Sequence, residues 1–476
     1  MAGAWYGVSV ASVRLLTMLR LAVLAHLLAP EVFGLTALVI LVIGALWVLS
    51  NFGITQAVIQ KDVLSDEYRH TAWNLNWFRG FLLALICYFS ASFVAQFFEH
   101  QELERLIEIA ALIPLLRGFE SLGMILLKRN LNFRPQAFVE LVREGVNTVV
   151  SISLVLYWEP SAEAIVWGLV AGSALATIVS YLVHPYIPSL RIDGASVTAI
   201  WKFGGHLLGA GVLVFAMTNL DNVVIGKLVG MEQLGFYTVA FTLAGVLTTQ
   251  LVQLMNQILF PAMSRIREDV ERILRVLQRS LRIVSGILTP VVLFMALFPE
   301  SVVRILFSET WLPAIPALMV LLAMGWVRGI ASVFGPVLLV YGRVAALHGM
   351  KWKEFFLFGI TIIPAVYHFG IVGAAYVLLL VYLLSLFLHI RIVLQEQPGT
   401  LATILRHIAL GSLPALAAGV TVLPILLLTD VSNVVLGLVF TLVWAVVVYI
   451  RERQFILQFW EMRRRIDDVE QVGDGA

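Results

Sequence analysis

Six arginines stand inside long apolar runs of this 476-residue chain: Arg14, Arg20, Arg79, Arg117, Arg143 and Arg328. A guanidinium stays charged and carries five N–H donors, so away from bulk water it needs an acid, trapped water or an anionic ligand. Turned to lipid at a helix centre, each would cost about 2.5 to 3.5 kcal/mol. Six would cost on the order of 15 to 20 kcal/mol, more than the about 5 to 15 kcal/mol that stabilises a typical domain. Spacing offers local partners for two of them: Arg117 with Glu120 at i+3, and Arg143 with Glu140 at i−3. Arg14 is shallow enough to snorkel. Even so, the five arginines before residue 188 outnumber the three deep acids there, Glu120, Glu140 and Glu144. A surplus of two buried cations calls for a hydrated cavity or an anion.

Polar stripes extend this chemistry. Glu140, Glu144, Asn147 and Ser151 recur at i, i+4, i+7 and i+11 on one helical face, and Gln250, Gln253 and Gln257 recur at i, i+3 and i+7 beside Thr249 and Asn256. Helix–helix hydrogen bonding explains one such amide; a stripe of three reads better as a water-lined wall. In TAWNLNWFRG, from Thr71 to Gly80, Trp73, Trp77, Asn74 and Asn76 adjoin Arg79. Aromatic planes and amides suit sugar rings, although an interfacial aromatic belt is the better reading of Trp73 and competes evenly for Trp77. Glu144 and Asp221 are candidate proton or sodium sites; Asp221 reads alternatively as a polar contact with Asn219 or Asn222.

The elements that position these residues follow from composition. Sixty per cent of the residues are hydrophobic, 13% are charged and mean hydropathy is +0.93, a balance that belongs to a polytopic all-α membrane protein. A window of about 20 residues gives fourteen spans, near 4–28, 32–58, 71–96, 104–127, 134–158, 162–185, 205–229, 232–263, 280–298, 312–340, 354–369, 371–394, 403–428 and 432–450. With the N-terminus inside, the cytoplasmic loops and tail hold 23 of the 32 basic residues. The outer loops hold only Arg105, Lys227 and Arg304 and lean acidic, which places both termini in the cytoplasm. The first apolar stretch carries Arg14 and Arg20 and lacks the form of a cleavable signal. Cys87, the single cysteine, excludes an internal disulfide and reads as buried filler.

Two stretches 201 residues apart keep register: TMLRLAVLAHLLAPEVFGLTALV from Thr17 and TNLDNVVIGKLVGMEQLGFYTVA from Thr218. Thr17/Thr218, Leu27/Leu228, Glu31/Glu232 and Gly34/Gly235 are identical, while Arg20 faces Asp221 in the alignment. An offset of six spans restores the same orientation in the membrane, as a parallel internal repeat requires. No GxxxxGK[ST] phosphate loop, HExxH or cysteine–histidine cluster occurs, no Asp-x-Asp pair offers a metal for sugar transfer, and no loop is long enough to be an outer domain. These absences point away from an enzyme, a metal protein or a nucleic-acid binder, and toward a transporter without cofactors.

FGLTALV…NFGITQAVIQKD, LLKRNLNFRPQAFVEL, TNLDNVVIGKLVGMEQLGFYTVA, LFPAMSRI and LFSETWLPAIPALMVLLA resemble the polysaccharide-transporter branch, with its Wzx-type lipid-linked oligosaccharide flippases, of the multidrug/oligosaccharidyl-lipid/polysaccharide superfamily. The resemblance covers nearly the whole chain. It implies two pseudo-symmetric six-helix lobes, 1–187 and 205–394, joined by a cytoplasmic linker at 188–204. Two additional helices follow at 403–450, then a cytoplasmic tail at 451–476. It also implies export of a polyprenyl-pyrophosphate-linked oligosaccharide across a bacterial inner membrane by alternating access, alongside glycosyltransferases and a polymerase of surface polysaccharide synthesis. Arg20, Arg79, Arg117 and Arg143 would hold the pyrophosphate, and Trp77, Gln250, Gln253 and Gln257 the sugars. The rival readings are a cation-coupled multidrug exporter, a lipid II flippase and a non-transporting assembly scaffold.

Overall fold

The computed structural model describes residues 2–50, 53–61, 63–130, 132–428, 433 and 435–449. Residues from 450 onward, Asn51, Phe52 and residues 429–432 lie outside them. Among the described residues all regular secondary structure is helical. The N-terminal elements are α1 (Ala2–Leu27), α2 (Pro30–Leu49), α3 (Ile54–Gln60), α4 (Asp66–Phe98), α5 (Glu102–Ala110), α6 (Leu112–Gly118), α7 (Gly123–Arg129), α8 (Arg134–Tyr157) and α9 (Ala162–Val183). Then come α10 (Gly194–Leu228), α11 (Met231–Ser264), α12 (Val270–Leu297), α13 (Pro299–Leu306), a 3-10 turn (Glu309–Ala314), α14 (Ile315–Ser332), α15 (Phe334–Val340), α16 (Val344–Glu396), α17 (Leu401–Leu428) and α18 (Val435–Tyr449).

Local chemistry explains the boundaries. Pro30 opens α2, where a missing N–H costs nothing. Ser65 caps α4 by accepting from the Tyr68 N–H, with Asp66 and Glu67 in the first turn. Asp193 caps α10 through the Ser196 N–H, and Asp269 caps α12 through that of Arg272. Each of the fourteen expected spans has a helical counterpart. Among the described residues eight helices are long and apolar enough to cross a membrane on their own. The 53-residue α16 is two helices meeting at Gly370, whose φ of 56° and ψ of −140° lie outside helical space.

Two expectations change. The fourth span is broken, with α5–α6 and α7 bent by 60° about residues 119–122. Hydrogen bonds hold the break: the Ser121 N–H donates to Ser180 Oγ at 3.0 Å, and Ser121 Oγ to the His184 carbonyl at 2.9 Å. The expected linker is also shorter, because its amphipathic half is continuous with α10. Residues 184–193, between α9 and α10, are strapped to the first turns of α4. His70 Nδ1 accepts from the Ser189 N–H at 3.2 Å and lies 2.9 Å from the Tyr186 hydroxyl; Asn74 Nδ2 donates to the Ser189 and Arg191 carbonyls; and Thr71 Oγ1 accepts from the Asp193 N–H.

The chain forms two compact units. One comprises Met1–Thr242, Val303–Ala317 and Phe355–Val377, the other Leu243–Val302, Leu318–Glu354 and the chain from Leu378 onward. The second unit has its own apolar core, including Leu281, Leu288, Phe334 and Val393. In the first, α2 crosses the start of α11 backbone to backbone. A Cβ on Gly34 would lie 1.9 Å from the Met231 carbonyl oxygen, and one on Gly235 1.8 Å from that of Pro30. Both pairs, Gly34/Gly235 and Pro30/Met231, are 201 residues apart, so the crossing maps onto itself when the repeats are exchanged. Trp311 is buried in the same unit. It donates to the Ala25 carbonyl at 2.8 Å and meets Phe33 and Phe236 edge-on.

Candidate functional site

Arg79 and Arg117 belong to copies of one tripeptide, Arg-Gly-Phe, at 79–81 and 117–119. The glycines let α4 and α6 touch: a Cβ on Gly80 would fall 2.6 Å from the Pro114 carbonyl oxygen and 2.7 Å from Gly118 Cα. Both preceding arginines then reach Trp47 of α2. The Arg79 Cζ is 4.6 Å from the indole centroid and the Arg117 Cζ 5.8 Å. Asn76 orients the first by donating to the Gly118 carbonyl while accepting from Arg79 Nη2 at 2.9 Å. Among the described residues neither guanidinium forms an ion pair, and the Nε of each is buried without a hydrogen-bond partner.

The other two arginines are matched to acids. Arg143 is bound by Glu120 at 2.5 Å and Glu140 at 3.2 Å, and Arg20 by Glu144 at 3.1 Å, which also accepts from Thr17 at 3.0 Å. The expected Arg117–Glu120 pair is therefore absent. It presumed a continuous helix, whereas the break after Gly118 swings Glu120 toward Arg143. Arg14 is exposed, and Arg328, in the second unit, stacks on Tyr382 at 5.6 Å.

Two cavities flank this layer. One, about 260 Å³, is lined by Trp47, Trp73, Asn76, Arg79, Arg117, Arg143, Lys128, Glu120 and Glu140 among others. Its four cationic side chains against two carboxylates leave a formal charge of plus two. The other, about 380 Å³, combines Ile40, Ile43, Val48, Ile113, Leu169 and Phe215 with Glu144, Asn147 and Ser173. Both share Trp47, Arg117 and Arg143, so these residues form the wall between them. Such a wall offers unpaired guanidinium N–H groups in a concave, largely desolvated setting, which suits a phosphate-type anion.

Trp77 and Asp221 do not line these two cavities. The Trp77 ring lies parallel to Phe119, centroids 5.8 Å apart and planes 7° apart, with Phe81 edge-on. The side chains of Gln250, Gln253 and Gln257 on α11 lie outside the described residues. Asp221 is buried, and its carboxylate accepts from the Tyr237 hydroxyl at 2.7 Å and the Asn222 N–H at 2.9 Å. Asn219 is not its partner, donating instead to the Phe215 carbonyl. Trp47 escaped sequence reasoning because a tryptophan near the end of an apolar span reads as an interfacial anchor. The repeated Arg-Gly-Phe was the available signal.

Residues 23–316 match the family described as "Polysaccharide biosynthesis protein". The chain is 24% identical over 398 residues to the lipopolysaccharide biosynthesis protein WzxC of Escherichia coli strain K12, covering 83% of this chain and 81% of that protein. It is 26% identical over 329 residues to the succinoglycan biosynthesis transport protein ExoT of Rhizobium meliloti strain 1021, covering 68% and 66%. In fold it is similar to a solved structure of the lipid II flippase MurJ in an inward closed conformation. The TM-score is 0.74 at 15% identity, over 95% of this chain and 99% of that one.

Proposed function

Because the chain belongs to the polysaccharide biosynthesis protein family, we propose that it moves a polyprenyl-pyrophosphate-linked oligosaccharide across the cytoplasmic membrane for surface-polysaccharide synthesis, by alternating access. The single observation that carries this reading is the pair Arg79 and Arg117, with no ion pair among the described residues, on the wall of a cavity of formal charge plus two. A pyrophosphate is the complement of that charge, and its oxygens match guanidinium geometry. The two cavities provide room for sugar next to the anion, while the polyprenyl tail stays in lipid. Arg143 and Arg20, bonded to acids, hold the framework in place. Glu144, engaged by Arg20, and Asp221, engaged by Tyr237, are reserve sites for a coupling cation.

Transport requires no stoichiometric ion on energetic grounds. Each negative charge leaving an inside-negative cell gains about 2.3 kcal/mol per 100 mV. Cytoplasmic termini and two six-helix lobes about the 184–193 strap complete the proposal, with glycosyltransferases supplying the substrate and a polymerase receiving it. A multidrug exporter for cationic compounds is disfavoured by the sign of the cavity.

Proteoliposomes carrying a fluorescent lipid-diphosphate oligosaccharide test the reading. Wild-type protein transfers the label between leaflets, and R79A/R117A slows transfer at least about tenfold, two charge-assisted contacts being lost. Undiminished transfer by the double variant would sink the site. Transfer of lipid II in preference to the oligosaccharide would reassign the substrate.

A further inference from the structure

We infer that Trp47 is a positioning residue that presents Arg79 and Arg117 to the anion by their edges, holding both cations without neutralising either. This rests on the proposed function and adds to it how the cations are kept available. A guanidinium has two kinds of surface: a flat face that stacks on aromatic rings, and a rim of N–H donors. A carboxylate takes part of the rim and offsets the charge that a phosphate would use. That is the state of Arg143, whose Nε and Nη2 are occupied by Glu140 and Glu120, and of Arg20 on Glu144. An indole takes the face. Arg79 and Arg117 both lie over the Trp47 ring with no ion pair among the described residues, whereas a buried unpartnered nitrogen is common to all four arginines, Nε on these two and Nη1 on Arg20 and Arg143.

The placement of Trp47 supports the same conclusion. It lines both cavities together with Arg117, so a ligand in either chamber meets the indole. The α4–α6 contact at Gly80 and Gly118 fixes the helices that carry the arginines, and Asn76 takes one terminal nitrogen of Arg79. The indole supplies the remaining restraint on two long, rotamer-rich side chains. Removing it leaves them to be immobilised by the ligand itself, which weakens binding by about tenfold or somewhat more for two side chains. Phenylalanine keeps a π face and therefore most of the effect.

The test is titration calorimetry of the full-length protein in nanodiscs with inorganic pyrophosphate at low ionic strength. W47F binds within about threefold of wild type, and W47L binds about tenfold or more weakly. R79A/R117A loses binding. Melting temperature is read alongside for each variant, because a purely structural role would lower stability in W47L without separating it from W47F in affinity. Equal affinity of W47L and wild type overturns the inference while leaving the arginine site intact if R79A/R117A still fails to bind. Equal weakening of W47F and W47L also overturns it, since shape rather than the π face would then matter. Failure of wild type to bind pyrophosphate, or unchanged binding by R79A/R117A, would bring down the proposed function together with this inference.

Discussion

At the scale of the residue, the four arginines of the first unit separate into two kinds. Arg143 pairs with two carboxylates, and R143A leaves the half-buried Glu120 without its partner while the exposed Glu140 remains hydrated. The expected cost is about 1 to 3 kcal/mol, seen as a fall in melting temperature. R79A and R117A remove cations that satisfy no acid, and each should lower transport with little change in melting temperature. The comparison of activity with stability across the three variants checks the division. Sequence made the arginines themselves legible, since a charge in an apolar run demands an explanation. Their partners were not legible: Glu120 lies three residues from Arg117 yet binds Arg143, 23 residues away. Tyr237 reaches Asp221 across 16 residues. Side-chain pairing in a helical bundle is decided by which faces meet, and periodicity within one helix says nothing about its neighbour.

At the scale of the element, the apolar windows located the helices, while breaks and straps required tertiary contacts. The bend at 119–122 is written in no proline or glycine run; it depends on Ser180 and His184 reaching Ser121. The α4–α6 seam has no room for a side chain, so G118V should cost about 1 to 3 kcal/mol through overpacking and reduce transport by splaying Arg79 from Arg117. Circular dichroism melts paired with the liposome assay would read both effects. The 184–193 strap depends on His70 accepting through Nδ1. H70N retains an acceptor at that position and should keep the amide protection of Ser189 in hydrogen exchange, whereas H70A should lose it. Asp193 adds a pH dependence: the Ser196 hydroxyl and amide hold its carboxyl below the usual range. Stability from this cap is thus present above the unfolded-state value and disappears as pH falls through the lower, folded one. D193N should flatten that acid limb in a stability-versus-pH series.

At the scale of the whole molecule, charge distribution sets the expected orientation, and the lone cysteine makes it measurable. Cys87 is fully buried, so C87A supplies a background that maleimides do not label. In it, Lys128→Cys should react only with reagent delivered from the cytoplasmic side and Gln101→Cys only from the outer side; labelling from the opposite sides would reverse the topology. Hydropathy alone leads to an expectation of fourteen spans, and among the described residues eight helices are long and apolar enough to cross a membrane by themselves, while the expected repeat is readable only from a few identical residues. Its physical trace is the crossing at Gly34 and Gly235, where each copy's glycine admits the other copy's backbone. A contact that is its own image under exchange is the signature of a symmetric dimer interface. A chain of about half this length that carried one copy of the stretch would present both sides of this junction, so two such chains could meet through it as a symmetric pair.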